Sequence, residues 1–313
     1  MRRPTFPIGL CSLPAIFVGL SVWVGSLHAV EPSPDASPSR SAHPPSWQRV
    51  AQEVDQLLQE EFPLGTRPLA SASDYAFIRR VTLDLVGHLP TPAEMDAFVD
   101  DTRPEKRLEL VNRLLQDDRY GENWGRYWRD VIFYRRAEDR ALLAADAASE
   151  FLEAELNANT PWDEIATAFV TAEGDIREQG ETAIIAAQTG RPEETVAELS
   201  RIFMGIQIQC AQCHDHPFDQ WEREQFHELA AFYPRVGLRP VRQPEGGRSF
   251  EVVASDRNRP RARKNPNRYR PRSEHYMSDL DDPSAEGTLM TPTFFVTGDS
   301  VQLGASDAER RAA

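Results

Sequence analysis

The sequence predicts a mainly α fold: an irregular multi-helix domain with a loop-rich, Arg-rich excursion and a small β-ribbon near its C-terminal end. Three observations carry that expectation. Apolar residues recur at helical spacing in one segment after another between Trp47 and Tyr233. Prolines, glycines and capping residues fall where those segments stop and start. Beyond Pro234 the period is lost, and Arg235 to Arg272 holds twelve basic residues against three acidic ones.

Taken in order, "WQRVAQEVDQLLQEEF" sets Trp47, Val50, Val54, Leu57 and Leu58 on one stripe and stops before Pro63. "SDYAFIRRVTLDLVGHLP" repeats the pattern with Phe77, Ile78, Val81 and Leu85 and ends at Gly87 and Pro90. "TPAE" is a capping box, Thr91 with Glu94, and Pro92 suits the first helical position. Helices are expected from about 104 to 115 and from 122 to 136, the latter carrying Trp124, Trp128 and Phe133. Three more are expected near 142–157, 161–171 and 192–208. The last of these turns Val196, Leu199, Ile202, Phe203 and Ile206 toward a core, and another helix, "EREQFHELAAFY", follows a short cysteine-bearing stretch. The apolar runs "SFEVVA" and "TPTFFVTG" are expected to pair as the β-ribbon. No repeat of solenoid period is present.

A chain of 313 residues, 40 % hydrophobic and 27 % charged, is ordinary for a globular protein. Its net charge of −14 argues against a general nucleic-acid binder, which needs a basic face. The N-terminus says more. "MRR", the apolar run "FPIGLCSLPAIFVGLSVWVGSLHA" and small residues near Ser26 and Ala29 read as a secretory signal peptide over 1–29. A Pro/Ser-rich linker, 30–46, follows. If uncleaved, the run is just long enough to anchor in a membrane. In either case the remainder is expected outside the cytoplasm, in the periplasm or at the cell surface. That remainder divides into a helical domain, 47–234, its Arg-rich loop and small β region, 235–305, and the start of a truncated following segment, 306–313.

Export changes the meaning of the cysteines. Of three, Cys11 leaves with the signal peptide, so Cys210 and Cys213 are what the mature chain keeps. A disulfide scaffold would show several spaced pairs. Here both fall in "IQCAQCHDHPFDQW", which also holds His214, Asp215, His216 and Asp219. C-x-x-C-H reads as a c-type haem attachment site. The two thiols add to vinyl groups on neighbouring pyrroles, and the next histidine, His214, swings under the iron as proximal ligand. Met204, Met277, Met290, His227 and His275 are candidate distal ligands, and an open position would leave room for peroxidase or oxidase chemistry.

Other chemistries use the same residues. A structural zinc wants four tetrahedral ligands; Cys210, Cys213, His214 and His216 can be counted as four, with His227 or His275 standing in for a strained neighbour. A Cys210–Cys213 disulfide closes too small a loop to stabilise much. A thioredoxin-like pair would follow a strand, whereas a helix precedes this one. His216 is expected to contact a propionate, bind backbone or cap the next helix; Asp219 is expected as that helix's N-cap, and Trp221 as a packing residue. No G-x-S-x-G, P-loop or H-E-x-x-H motif occurs.

Four segments carry a resemblance: "RRVTLDLVGHLPTPAEMDAFVDD", "LELVNRLLQDDRYGENWGRYWRDV", "RIFMGIQIQCAQCHDHPFDQWEREQFHELAAFY" and "TPTFF". Together, over roughly Trp47 to Gly298, the chain resembles the planctomycete exported cytochrome c-like (PSCyt-type) domains of unknown function. Such domains are usually followed by a second uncharacterised one, which this chain, ending in "DAERRAA", stops short of. The resemblance implies that Cys210, Cys213 and His214 attach the haem.

The expected function is therefore extracytoplasmic electron transfer by an exported c-type haem protein, an electron carrier rather than a stand-alone enzyme, working with a redox partner protein. The alternative is a non-redox interaction module of the cell surface, its Cys/His block holding a structural zinc or a disulfide. The Arg-rich loop is read first as a solvated loop and second as a seat for an acidic protein or an anionic glycan.

Overall fold

Several helices begin where a side chain accepts from one of their first free N–H groups. The computed structural model describes residues 47–63, 71–242, 247–255, 274–282 and 284–313. The expected signal peptide and linker, and residues 256–273 of the Arg-rich excursion, lie outside them. Among the described residues no helix is long and apolar enough to cross a membrane.

The chain divides into two units, Met1–Leu69 and Ala70–Ala313. Of the first, α1 (Trp47–Glu61) is the described element, and the stripe of Val50, Val54, Leu57 and Leu58 on it is exposed.

The second unit opens with a three-helix layer. The Ser73 side chain accepts from the Ala76 N–H to start α2 (Asp74–Val86), and Gly87, in the left-handed conformation at φ 76°, ends it. The Thr91–Glu94 capping box is formed in full and starts α3 (Pro92–Asp100), with Pro92 at its head. These helices and α4 (Lys106–Leu115) bury Ile78, Val86, Phe98, Leu110 and Leu114 together. Burial of each such side chain contributes roughly 1.5–3 kcal/mol.

The larger core begins with α5 (Arg119–Phe133) packed along α6 (Ala145–Asn157). Glycine permits that closeness: a Cβ on Gly121 would lie 2.5 Å from the Glu153 carbonyl oxygen. Trp128 of α5 tilts against Trp162, which opens α7 (Trp162–Thr171), with ring centroids 4.7 Å apart. Next comes a two-residue strand, β1 (Gly174–Asp175), then α8 (Ala183–Ala187), buried at every position. α9 (Pro192–Leu199) and α10 (Arg223–Ala230) complete the helical frame.

A small antiparallel sheet closes it. β2 (Val236–Arg242) and β3 (Arg248–Ala254) pair with Leu238 opposite Val252, and the strand order is β1-β3-β2. The run "SFEVVA" thus forms a strand as expected, but its partners are β2 and β1 and not "TPTFFVTG". That second run makes a tight turn with one bridge, Thr293 to Ser300. β4 (Tyr276–Met277) and β5 (Thr288–Leu289) form a separate short ribbon. Finally, Ser306 and Glu309 make a capping box for α11 (Asp307–Ala312). α11 packs against α7 within this second unit, with Arg310 and Arg311 buried. The architecture is mainly helical with a small, C-terminal β component, as the sequence predicts.

Candidate functional site

The cysteine stretch is held between α9 and α10. The expected helix over 192–208 ends early: α9 gives way at Ser200 to one π-helical turn, Ser200–Met204, and Gly205 reverses the chain at φ 69°. The Ser200 carbonyl accepts from the N–H groups of both Gly205 and Ile206. Residues Ile208–Gln212 then wind as a 3₁₀ turn. With three residues per turn, side chains at i and i+3 stand above one another. Ile208 and Ala211 are accordingly both buried, while Cys210 and Cys213 share the outer side as exposed, free thiols. The Cys213 N–H donates to the Cys210 carbonyl at 3.4 Å. The spacing of two buried and two exposed residues, one pair interleaved with the other, is what the x-x between the cysteines accomplishes.

His214 is exposed, and its Nδ1 lies 2.7 Å from the Asp215 carbonyl oxygen. A carbonyl only accepts, so Nδ1 carries the proton and Nε2 keeps its lone pair for a metal. His216 behaves differently. Its N–H donates to the Trp221 carbonyl at 2.8 Å, and its Nδ1 accepts from the Phe218 N–H at 3.3 Å. Of the roles expected for His216, it takes backbone binding. Asp215 accepts from the Arg223 N–H, bracing the start of α10. Asp219 is not the N-cap expected of it: Glu222 is, in a capping box with Gln225. Asp219 instead accepts from the Gln220 N–H and from the Trp221 indole N–H at 3.1 Å. Trp221 packs edge-on against Phe295, 4.8 Å between centroids. Phe218 points away from all this and is 95 % exposed.

Beneath the turn lies a feature the sequence does not announce. His227 and His275 are both buried, with His227 Nδ1 2.9 Å from His275 Nε2. His227 Nε2 donates to the carbonyl of Gln212, which stands between the two cysteines, at 3.1 Å. His227 Nδ1 therefore accepts from His275, whose Nδ1 is 3.9 Å from Glu193 Oε1. Burial, and then the neighbouring His275, hold the His227 imidazole down at about 4, so it is neutral at ordinary pH. Both of its nitrogens are engaged, which turns this candidate distal ligand into a brace for the cysteine turn. Met290 is buried and donates its N–H to the His275 carbonyl. Met204 belongs to the π turn, and Met277 to β4.

Among the described residues, no three His, Cys, Asp or Glu side chains are gathered so as to hold a metal ion. The donors that stand ready form a different set: two thiols on one outer face and one imidazole nitrogen. That set fits a covalently attached haem, whose ring nitrogens bring most of the iron's ligands with them.

Fold and site thus define a mainly helical domain that displays a C-x-x-C-H turn on its surface. The family model described as PSCyt2, "Protein of unknown function (DUF1549)", matches residues 53–237, and the chain belongs to that family. No curated protein and no solved structure matches it.

Proposed function

We propose that the protein is an exported c-type haem protein working in extracytoplasmic electron transfer. The observation that carries the reading is the paired display of Cys210 and Cys213 on one turn beside a His214 imidazole with its Nε2 left open. Cys210 and Cys213 would tether the haem and His214 would ligate its iron; bound there, haem supplies one-electron chemistry. The chain's own residues hold that arrangement. The Asp215 carbonyl orients the His214 ring, a support of the kind that fixes a ligand's tautomer. His227 fixes the Gln212 carbonyl, and Ile208 and Ala211 root the turn in the core. An exposed site favours exchange of electrons with a partner protein over enclosure of a substrate, so the protein is read as a carrier.

A second reading, a cell-surface interaction module with zinc or a disulfide in the Cys/His block, is favoured by Phe218, a large apolar side chain held out to solvent. One experiment separates the two. The chain, secreted in a host with cytochrome c maturation, is run on a denaturing gel and stained for haem. Wild type should stain, and Cys210→Ser with Cys213→Ser should not. His216→Ala should keep the spectrum, and His214→Ala should alter the iron's spin state. Stoichiometric zinc without a Soret band in the wild type would overturn the carrier reading.

A further inference from the structure

The loop that carries His214 belongs to a wider surface. The His216 N–H bond to the Trp221 carbonyl closes that loop, and two other exposed segments are tied to its end. Trp221 packs on Phe295, which holds the 293–300 turn against the loop. The Arg223 guanidinium donates to the Ser278 carbonyl at 2.7 Å, which holds residues 278–282 beside the start of α10. Each of the three segments presents one large apolar side chain to water: Phe218, Val296 and Leu280, all more than half exposed.

The charge around them is almost wholly negative. Asp215, Asp219, Glu222 and Glu224 are exposed, and Arg223 is the one lysine or arginine between Cys210 and Glu224. From Ser278 to Ser300 the sequence holds five acidic residues, all exposed, and neither lysine nor arginine. None of these carboxylates forms an ion pair with a described residue. The three-helix layer is built otherwise: Asp74 is paired with Lys106 and Arg107, and Asp101 with Arg103.

A phenyl ring left in water forgoes the gain of burial, and apolar side chains rimmed by polar ones mark contact surfaces. The rim selects the partner. Closing an unpaired carboxylate against a neutral or acidic surface removes its water and supplies no counter-charge, so only a basic surface completes the contact. A second copy would bring the same acids face to face. An anionic lipid surface is repelled for the same reason.

We infer that this face docks a basic protein, one that offers Phe218 an apolar seat ringed by lysine or arginine. The inference names the chemistry of the carrier's partner. The passage of electrons across the contact rests on the haem reading; the docking does not.

The test uses the full chain with a basic cytochrome c as the probe, a protein whose haem edge is ringed by lysines, and calorimetry at low salt. Binding should saturate at one to one and weaken as salt rises. Phe218→Ser, at a side chain the fold leaves in water, should weaken it about tenfold. Glu224→Gln with Asp281→Asn should weaken it several-fold. Asp96→Asn with Asp100→Asn, the same loss of charge at exposed positions of α3, should change it little. Binding is read as heat, so a chain that fails the haem stain can still pass here, and one that passes the stain can fail. The inference is overturned by a wild type that does not bind the probe, by Phe218→Ser binding as tightly as wild type, or by the two charge pairs weakening the complex alike. It is also overturned by a wild-type dimer that Phe218→Ser dissolves, or by binding that appears only once Arg259, Arg261 and Arg263 are changed to glutamine. The occupant would then be a second copy or the chain's own basic segment.

Discussion

Acidification should weaken the fold through His227 before any carboxylate pair gives way. The imidazole titrates near 4 in the folded chain and near its ordinary 6.5 in the unfolded one. Below pH 6.5 the unfolded chain therefore takes up a proton that the folded chain refuses until about pH 4. Stability falls as pH drops through that window and levels off beneath it. A tenfold change in proton affinity is worth about 1.4 kcal/mol, so the whole window removes roughly 3 kcal/mol. The charges facing the ring are His275, Arg223 and Glu193; the first two disfavour the imidazolium and the last favours it. Asp101 and Asp117, held near 2 by Arg103 and Arg119, lose their contribution only below their ordinary 3.8. Glu194 and Glu228, raised by burial, act in the opposite sense, because the folded state protonates first. Comparing wild type with His227→Phe cancels both sets. Urea unfolding followed by tryptophan fluorescence at pH 7.5, 6, 5 and 4 is the measurement. The variant should be less stable at pH 7.5 and flatter toward acid. If it keeps the full acid slope of the wild type, the buried pair is not the source.

Two further substitutions read the packing around the site. Gly121→Ala should destabilise by about 1–3 kcal/mol despite alanine's better helix propensity, because its Cβ meets the Glu153 backbone; a stabilised variant would show that α5 and α6 are not in close contact. Arg201→Met should cost roughly 3 kcal/mol, since among the described residues it leaves the buried Glu198 carboxylate only Arg135, at 3.8 Å, and Glu198→Gln added to it should recover much of the loss in the same melts.

What could be read in the chain depended on how local its cause was. The stop of α2 and the start of α3 were legible because Gly87, Thr91 and Glu94 act within one turn of themselves. α8 was not, because "AIIAA" is apolar on every side and shows no period to read. The early end of α9 was hidden, since "VAELSRIFMGIQI" keeps helical spacing straight through the π turn and Gly205. β2 was masked by composition. Its Pro240, Arg239 and Arg242 read as loop, yet it is an edge strand, where proline is tolerated and the arginines face solvent. The choice of partner for β3 was beyond local reading, because pairing is settled by what the rest of the core leaves uncovered.

The site divides along the same line. C-x-x-C-H declares itself by spacing, whereas the His227–His275 contact joins residues 48 apart and leaves no local trace. That contact bears on what the turn is for. Small metal-binding modules commonly draw their fold from the metal and are unfolded without it. Here Ile208 and Ala211 are buried in the main core, the Gln212 carbonyl is bonded to His227, and the "HDHPFDQW" loop ties itself together through His216, Asp219 and Trp221. None of these contacts uses a thiol or His214 Nε2. The frame orders the turn from beneath, and the three groups with chemistry to offer are left on its outer side. Such a division suits a cofactor added to a chain already folded around its attachment point, because little conformational freedom remains to be lost when the bonds form.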